Sequence, residues 1–476
     1  MPSFADCISN ADAFLWGPPL LILLLGTHLF FTVRLKFIQR HLITAFGIIA
    51  QRDREQTGSV SAFSALAVAL ASTIGTGNVI GVATAVCLGG PGAVFWCLIT
   101  GIFGMATKYA ESLLAVKYRK IDADGEVHGG PMYTIWRGLR CRSLAIFFCI
   151  AGCLAVIGIG NLVQANAISA IVKSSFAVPN WVSGAFVTVV AALVILGGLR
   201  SIARVCTLLV PLMTCVYLAG CLVLIVINRA FLADAALLIL RSAFSPAAAG
   251  GGLAGYGFML AARYGVARGL FSNEAGMGSE PIVAATAKTR NAVRQGLVSY
   301  TGTFCTIIIC LLTGMVLVTG LLASGNGIAP NNDEILPQTC FEAIPYCGKY
   351  LLSFAIFAFA STTMFGWFYY GEECVRFLCD RVWAQTLYKF VYLGLILPGA
   401  VLSLGIVWDF ANFANGLMVI PNVISLLLLQ KTIVSETRKY LWSGRLDAAD
   451  PDCAKADAAT CPPTENPGFF HRKNAD

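Results

Sequence analysis

Eleven stretches of about 20 mainly apolar residues dominate the chain, and each is long enough to cross the hydrocarbon core of a bilayer. The hydrophobic core of a soluble domain stops growing near ~250–300 residues. A chain of 476 residues with 57% apolar and only 12% charged positions therefore cannot bury its apolar residues in one water-soluble core. The sequence therefore predicts an all-α polytopic membrane protein with about 11 transmembrane helices. The predicted spans are residues 14–34, 61–87, 92–118, 144–173, 180–199, 205–228, 252–288, 297–323, 349–380, 386–408 and 411–430.

The distribution of lysine and arginine predicts the orientation of the chain. With the N-terminus outside, the predicted inner segments carry 26 of the 33 basic residues, and the outer loops carry four. Basic residues concentrate on the cytoplasmic side of membrane proteins. We therefore expect a multi-pass protein of the cell membrane with an outer N-terminus and a cytoplasmic C-terminus. The net charge of +8 then reflects this bias and does not indicate nucleic-acid binding.

Two of the predicted spans are interrupted near their middle by glycine and polar residues. The second span reads ALASTIGTGNVIGVATAV, and the seventh contains GLFSNEAGMGSEP. Every backbone polar group in lipid needs an internal partner, so such a break is costly unless it lines a polar site. The two spans lie five apart and each begins a block of five, which gives the blocks opposite orientations. Broken helices at matching positions of two inverted halves indicate a secondary transporter.

The same pattern predicts how the chain is divided. Residues 1–60 are expected to hold an extra transmembrane helix and a cytoplasmic linker, and 229–251 an amphipathic linker on the outer surface. The two five-helix repeats are then 61–228 and 252–430. Residues 431–476 are predicted to form a disordered cytoplasmic tail, because their last part is rich in Ala, Asp and Pro.

The breaks offer backbone groups that can bind ions of either sign. Freed N–H groups at the start of a half-helix can hold a carboxylate, and freed carbonyls at the end of one can hold Na⁺. The second span has no acidic side chain, which favours a Na⁺ site over a proton relay through carboxylates. The alternative is that Gly77 and Gly81 form a GxxxG-like spacing that only lets helices pack closely.

Motifs around the breaks resemble those of the alanine or glycine:cation symporter family, also called the sodium:alanine symporter family. The matching stretches, between about residue 61 and residue 430, are GTGNVIGVATAVCLGGPGAVFW, GMATKYAESLLAVKYR, GGPMYTIWRGL, GNLVQANAISA, GGLRSIARV, RGLFSNEAGMGSEP, GWFYYGEECVRFL and NGLMVIPN. The resemblance implies a leucine-transporter-like 5+5 inverted repeat plus one N-terminal helix. It also implies Na⁺- or H⁺-coupled import of a small neutral amino acid, with the coupling ion and no organic cofactor.

The resemblance further implies a substrate site at the breaks. Residues 75–78 are expected to bind the amino-acid carboxylate, mainly through backbone N–H groups, and Trp367 to limit the size of the substrate side chain. Gln164 needs polar partners in hydrocarbon, so a helix–helix hydrogen bond is its alternative role, as core packing is for Trp367. The predicted substrate residues are Gly75, Thr76, Gly77, Asn78, Gln164, Phe271, Ser272, Asn273 and Trp367.

A run of hydroxyl side chains in the ninth span predicts a cation site. If the run faces the break in the second span, Thr362 and Thr363 can coordinate Na⁺ together with the carbonyls of Ala71 and Ile74. The alternative is that each hydroxyl donates to a carbonyl one turn earlier in its own helix.

Glu274 lies in the break of the seventh span, and an acid inside the membrane is a functional candidate by default. It can tie the broken helices together through backbone N–H groups, hold the substrate ammonium, or couple transport to H⁺ by titrating. Arg263 and Arg268 precede the break and are candidate partners for it. Further structural or gating ion pairs are predicted for Lys108 with Glu111, and for Glu372 and Glu373 near Arg376.

The chain departs from the family's usual residues at several positions. Cys97 follows the GGPGAVFW stretch, Glu280 replaces a small residue, and Cys305 and Asn412 stand where acids are common.

In the predicted outer loop 324–348, Cys340 and Cys347 are either free thiols or a disulfide.

Together these features predict a secondary symporter that imports alanine or glycine with Na⁺ by alternating access. The alternatives within transport are H⁺ coupling or a larger neutral substrate such as glutamine or serine. An enzyme is not expected, because His28 is the one histidine in the predicted spans and no paired acids lie near it in the sequence. A channel is not expected either, since the sequence has no repeated pore loop or ring of charges.

Overall fold

The computed structural model describes residues 10–450 except 12–13, 52–57, 123, 245–255, 326–334 and 403. Helices dominate this part of the chain, which confirms the all-α prediction. One antiparallel pair of short strands, β1 (Lys120–Ile121) and β2 (Val127–His128), accompanies them. The helices are α1 (Pro18–Arg34), α2 (Leu42–Ala50), α3 (Ala62–Thr73), α4 (Ile80–Gly89), α5 (Gly92–Lys117), α6 (Pro131–Tyr133), α7 (Arg142–Ala155), α8 (Val163–Phe176), α9 (Asn180–Ile195), α10 (Gly198–Ile227), α11 (Leu232–Phe244), α12 (Tyr256–Asn273), α13 (Pro281–Ala284), α14 (Ala292–Ser324), α15 (Ile335–Phe341), α16 (Gly348–Leu378), α17 (Val382–Val401), α18 (Leu404–Leu428) and α19 (Gln430–Thr437).

Each predicted span coincides with a helix or with a pair of helices in the described residues. Six helices there are long and apolar enough to cross a membrane, and two bent pairs raise the number to eight. The other predicted spans correspond to α9, to α17, and to α12 with α13, which a polar break separates. The turn Val156–Leu162 joins α7 and α8 into one continuous helix.

The first broken helix consists of α3, the short turn Thr76–Asn78 and α4, with a bend of 60° between its halves. Ser61 caps α3 because its hydroxyl accepts the backbone N–H of Ser64 at 3.0 Å. Ile74 follows the last residue of α3, and its φ of −81° and ψ of 82° lie outside the helical region. The Asn78 amide then donates to the Thr73 carbonyl at 2.8 Å. This carbonyl lies in the last turn of α3 and has no donor within the helix, so Asn78 satisfies it.

The second broken helix consists of α12 and α13, separated by residues 274–280. Glu274, Gly276 and Gly278 have positive φ values of 52°, 89° and 79°. Glycine adopts such conformations at no steric cost, whereas they are uncommon for a glutamate. Pro281 then begins α13, because its fixed φ suits the first turn of a helix. Both breaks therefore lie at the glycine-containing runs that the sequence indicates.

Backbone contacts join the start of the first broken helix to the end of the second. Val60 forms a parallel bridge with Ala287, and the Val60 carbonyl accepts the N–H of Lys288 at 2.9 Å. Arg119, which follows α5, donates to the carbonyls of Ala285 and Ala287 at 3.1 Å each. These contacts lie at the end of the bundle that carries β1 and β2, which we call the hairpin end.

The predicted amphipathic linker contains α11, whose apolar face packs against α5. Ala235, Ile239 and Ala243 are buried at intervals of four residues, as expected of one helix face. The last part of that linker lies outside the described residues. In the predicted outer loop 324–348, Cys340 is buried, Cys347 is exposed, and both are free thiols.

The sequence predicts a disordered tail over residues 431–476, and the first part of this segment differs from that prediction. α19 and the turn Arg438–Trp442 extend it as helical structure. Asp447 pairs with Arg294 at the start of α14. The physical reason is that ion pairs and backbone hydrogen bonds hold this polar segment against the bundle, which composition does not reveal. Residues 451–476 lie outside the described residues.

Candidate functional site at the two helix breaks

The two breaks meet, and several predicted substrate residues contact one another there. The Ser272 hydroxyl donates to Asn78 Oδ1 at 2.5 Å. A Cβ added at Gly77 would lie 2.6 Å from the Phe271 ring, so only glycine allows the end of α12 to approach this closely. All four residues are buried. The end of α12 is thereby brought against the start of α4.

Gln164 and Thr76 join the same cluster from a third direction. The Thr76 hydroxyl donates to Gln164 Oε1 at 3.2 Å, and Gln164 Nε2 donates to the Ile159 carbonyl at 3.0 Å. Ile159 lies in the π-helical turn between α7 and α8, and such turns are frequent at functional sites. Gln164 therefore lies at the first break and has the polar partners that its burial requires.

Thr363 places a hydroxyl at the end of α3. Its Oγ1 donates to the Ala71 carbonyl at 2.9 Å. A Cβ added at Gly75 would lie 2.6 Å from the same hydroxyl oxygen, and Ile74 between them is buried. Hydroxyl and carbonyl oxygens are the ligands that hard cations take. This corner of the first break therefore supplies oxygen ligands of the kind that a Na⁺ site uses.

Thr362 has different contacts although it is the next residue along α16. Its hydroxyl donates to the carbonyls of Ala358 and Phe359 at 2.9 and 3.1 Å, which is bonding to its own helix. The same oxygen lies 3.6 Å from the sulfur of Met213 on α10. Of the two predicted cation hydroxyls, the structure places that of Thr363 against α3.

Glu274 connects the second break to α16. Its carboxylate oxygens accept the indole N–H of Trp367 at 3.1 Å and the Ser279 hydroxyl at 2.5 Å. Trp367 is fully buried, and a Cβ added at Gly160 would lie 2.3 Å from the Trp367 Cβ. Asn273 closes the turn locally, since its Oδ1 accepts the backbone N–H of Ala275 at 2.9 Å. These side-chain contacts attach the second break to α16.

The arginines predicted as partners of Glu274 lie over aromatic rings. The Arg268 guanidinium is 4.6 Å from the centre of the Trp408 ring, and that of Arg263 is 5.7 Å from the Tyr264 ring. A guanidinium over the face of an aromatic ring is attracted to it by a cation–π interaction. The Glu274 side chain has Trp367 and Ser279 as its hydrogen-bond donors.

The predicted pairing of Lys108 with Glu111 is wrong in its partners. Lys108 Nζ lies 2.9 Å from Glu280 Oε2 and donates to the Glu274 carbonyl at 3.1 Å. Glu111 Oε1 accepts the backbone N–H of Gly278 at 3.1 Å. The one-turn spacing places both side chains on one side of α5, where each directly contacts groups of the second break.

Ion pairs at the hairpin end agree better with the sequence. Arg376 Nε lies 3.5 Å from Glu373 Oε1, as the sequence predicts for this pair. Glu372 pairs with Lys389 of α17 at 3.1 Å. The first contact lies within α16, and the second attaches the end of α16 to α17.

His128 on β2 bridges two acids at this end. Its Nδ1 lies 2.9 Å from Glu373 Oε2, and its Nε2 lies 3.1 Å from Asp122 Oδ2. Burial disfavours the charged imidazolium, but the hydrogen bond and negative charge of Glu373 outweigh it and raise the pKa of His128. The loop after α5 is thereby attached to α16 by a titratable contact.

Sequence reasoning missed two residues of the site. Cys310 on α14 lies 3.2 Å from Asn78 Oδ1 and 2.9 Å from the Ser272 hydroxyl. The Trp408 ring centre on α18 is 4.8 Å from that of Phe271. Both residues sit in ordinary apolar stretches, so no local pattern distinguishes them from core residues.

A membrane bundle with two facing helix breaks, which gather amide, hydroxyl and acidic groups, has the architecture of a secondary transporter. The fold is similar to that of MhsT, solved in complex with L-phenylalanine, with a TM-score of 0.59 at 14% identity over 84% of this chain and 95% of that one. The chain belongs to the sodium:alanine symporter family, whose profile matches residues 1–454. These findings confirm the family resemblance and the leucine-transporter-like fold.

Relatives match over nearly their whole length. The chain is 42% identical over 445 residues to the sodium/alanine symporter AgcS of Methanococcus maripaludis, covering 92% of this chain and 97% of that protein. It is 47% identical over 455 residues to an uncharacterised transporter of Haemophilus influenzae, covering 94% and 98%. The chain therefore matches both relatives over nearly their full length.

Proposed function

We propose that the protein is a symporter that imports a small neutral amino acid, alanine or glycine, together with Na⁺. The observation that carries the proposal is the Thr363 hydroxyl, 2.9 Å from the Ala71 carbonyl where α3 ends. With the carbonyl of Ile74, these groups form a partial oxygen shell for a hard cation. The relative AgcS is described as a sodium/alanine symporter, which supports the proposed combination of alanine with Na⁺.

The substrate carboxylate would bind at the start of α4. Backbone N–H groups of residues 75–78 would hold it there, because the start of a helix favours negative charge. The residues around this position are Gln164 beside Thr76, and Ser272 beside Asn78. Carboxylate and Na⁺ would then occupy one break, and each would strengthen the binding of the other. That mutual dependence is the thermodynamic basis of coupling.

Aromatic side chains would restrict the substrate to a small one. Phe271 packs on Trp408, and Trp367 is held in place by Glu274. Gly77 leaves no room for even a methyl group beside Phe271. A short substrate side chain, as in alanine or glycine, fits such a site better than that of glutamine.

Alternating access would follow from movement of the two broken helices against the other helices. In this scheme the repeats are 61–228 and 252–430, as the sequence predicts. The N-terminus would lie outside and the C-terminus in the cytoplasm. The inward Na⁺ gradient across the cell membrane would then drive import.

Uptake into liposomes containing the full-length protein tests the proposal. Labelled alanine should accumulate with an inward Na⁺ gradient and not with an inward H⁺ gradient in the absence of Na⁺. Protein-free liposomes and vesicles whose gradient has been collapsed by an ionophore are the controls. Accumulation driven by H⁺ alone would refute the Na⁺ assignment. Uptake of glutamine or serine but not alanine or glycine would refute the substrate assignment.

A further inference from the structure

The second break contains a buried cluster of charged side chains that the proposed Na⁺ coupling does not use. Lys108 and Glu111 reach it from α5, and Glu274 and Glu280 belong to the break itself. Each of the four residues is at most 2% exposed. Three carboxyl groups thus share one ammonium group in a site shielded from solvent.

The charges of this cluster do not balance if every group is ionised. Three carboxylates and one ammonium sum to −2, and an uncompensated buried charge is strongly destabilising even after relaxation. Among the described residues, the groups that face the cluster from other elements are His28 on α1, Trp367 and Tyr370 on α16, and Asn422 on α18. None of these carries a fixed positive charge.

The hydrogen bonds distinguish the three carboxyl groups. Glu280 pairs directly with Lys108 at 2.9 Å, so it is the natural counter-ion. Each Glu274 oxygen accepts one hydrogen bond, from Trp367 and from Ser279. Glu111 differs from Glu280 because it forms no ion pair among the described residues. It differs from Glu274 because Oε1 takes both of its donors and Oε2 has no hydrogen-bond partner in that part of the chain.

Two further buried polar atoms near this break also lack a hydrogen-bond partner within the described part of the chain. They are Glu280 Oε1 and His28 Nε2. The His28 ring lies at the break itself, since its Cε1 is 3.6 Å from where a Cβ of Gly276 would be. His28 Nδ1 is already engaged with the Thr107 hydroxyl at 2.7 Å. Orphaned buried polar atoms are costly and call for an explanation. Together with the surplus negative charge of the cluster, they point to an additional proton at this break.

We propose that this cluster is a proton-binding site, separate from the Na⁺ position at Thr363, and that the proton resides on Glu111 Oε2. Protonation removes one buried negative charge and leaves Oε1 free to keep its two donors. Glu280 stays paired with Lys108. The inference extends the proposed symport, but it does not depend on which amino acid is carried.

The position of Glu111 connects this proton to movement. Glu111 accepts the N–H of Gly278 and the Asn422 amide, and the same amide donates to the Gly276 carbonyl at 2.9 Å. Displacement of the second broken helix would disturb these contacts and admit water to Glu111. The proton can then be exchanged with bulk water, so pH would act on the movement of this helix.

Infrared spectroscopy of the purified full-length protein in lipid tests the proposal directly. A protonated carboxylic acid gives a C=O stretching band that a carboxylate lacks. At neutral pH the wild type should show this band, and Glu111→Gln should lose it. The Gln side chain keeps an acceptor for Gly278 and places an N–H₂ group where the acid O–H would be, so folding should be preserved. Glu372→Gln, which removes an acid already paired with Lys389, should keep the band.

The outcomes separate this inference from the proposed function. Absence of the band in the wild type would overturn the proton site without any variant. A band that survives in Glu111→Gln would overturn it as well. If that variant fails to fold, ¹³C-labelled glutamate in the wild type should shift the band, and an unshifted band would refute the assignment. The spectra need no transport, so a failure of Na⁺-driven uptake would leave this result unaffected.

Discussion

Two neighbouring threonines of α16 should respond differently to the same substitution. Thr363→Val removes the hydroxyl next to the Ala71 carbonyl and nearly keeps the shape of the side chain. A polar contact to a charged group is worth about 1.5–3 kcal/mol, which corresponds to a roughly 10–100-fold rise in the Na⁺ concentration for half-maximal uptake. Thr362→Val removes a hydroxyl that bonds to its own helix, so its Na⁺ dependence should stay close to that of the wild type. Equal effects in both variants would contradict the assignment to Thr363 alone.

A second pair of substitutions separates a binding role from simple helix packing. Gly77→Ala places a methyl group 2.6 Å from the Phe271 ring, whereas the atom that a Cβ at Gly81 approaches is the Arg268 Cδ at 4.0 Å. Overpacking typically costs about 1–3 kcal/mol, so Gly77→Ala should lower the thermal midpoint and weaken alanine binding. Gly81→Ala lies in α4 and should be neutral or stabilising, because alanine is the better helix former by about 0.5–1 kcal/mol. If both glycines served only as a GxxxG packing motif, both variants would destabilise the protein alike.

Single residues of the site were predictable where a polar or glycine residue interrupts an apolar helix. Asn78 and Gln164 stand out for this reason, since an amide in hydrocarbon must find a partner. Cys310 contacts the same amide as Ser272 but was not predictable, because cysteine in an apolar helix resembles a small core residue. The partner of Lys108 was not predictable either, since Glu280 lies far away in sequence and meets it only through the path of the second break.

At the scale of secondary-structure elements, the breaks were predictable and their connections were not. Glycine runs inside apolar stretches indicate where α3 and α12 end, because the backbone leaves the helix there. The strands β1 and β2 are two residues each, too short for any alternating pattern to reveal. Their importance comes from His128, which joins the loop after α5 to α16.

The contact of β2 with α16 should weaken as pH rises. The folded-state pKa of His128 is raised above its ordinary value of 6.5. Its stabilising contribution is therefore fully present below pH 6.5 and is lost as the pH rises through the raised folded-state pKa. We expect the thermal midpoint of the wild type in detergent to exceed that of His128→Gln at low pH, and the difference to shrink toward alkaline pH. Burial disfavours the ionised Asp122, but its hydrogen bond to Lys120 and the neighbouring positive charges together outweigh burial and lower its pKa, so that carboxylate stays ionised over this range.

The matched control for this experiment is Lys389→Gln. It removes the partner of Glu372, another contact of α16, without removing a group that titrates near neutral pH. The difference in thermal midpoint between this variant and the wild type should be the same at low pH and at alkaline pH. A His128→Gln difference that is equally constant, or that grows with pH, would contradict a charged His128 in the folded protein.

At the scale of the whole molecule, the positions of the helices followed from hydrophobicity, since each predicted span coincides with a helix or a pair of helices among the described residues. Lipid tolerates only helices with internally satisfied backbones, so each long apolar run has one available structure in a chain of this kind. The predicted orientation follows from the bias of basic residues toward the cytoplasmic side. Packing of the polar segment 431–450 was not predictable, because it depends on ion pairs such as that of Asp447 with Arg294.

Two native cysteines can decide the orientation. Cys141 lies in a predicted cytoplasmic segment and Cys347 in a predicted outer loop, and both are exposed. In a background where Cys7, Cys453 and Cys461 are replaced by serine, a membrane-impermeant maleimide added to intact cells should label Cys347. Adding Cys347→Ser should abolish this labelling, whereas Cys141→Ser should reduce labelling only after the cells are permeabilised. Labelling of intact cells that depends on Cys141 instead would mean that the N-terminus lies inside. The hairpin end would then face outward. Because the Na⁺ gradient points inward, Na⁺ and the substrate would reach the bundle from that end.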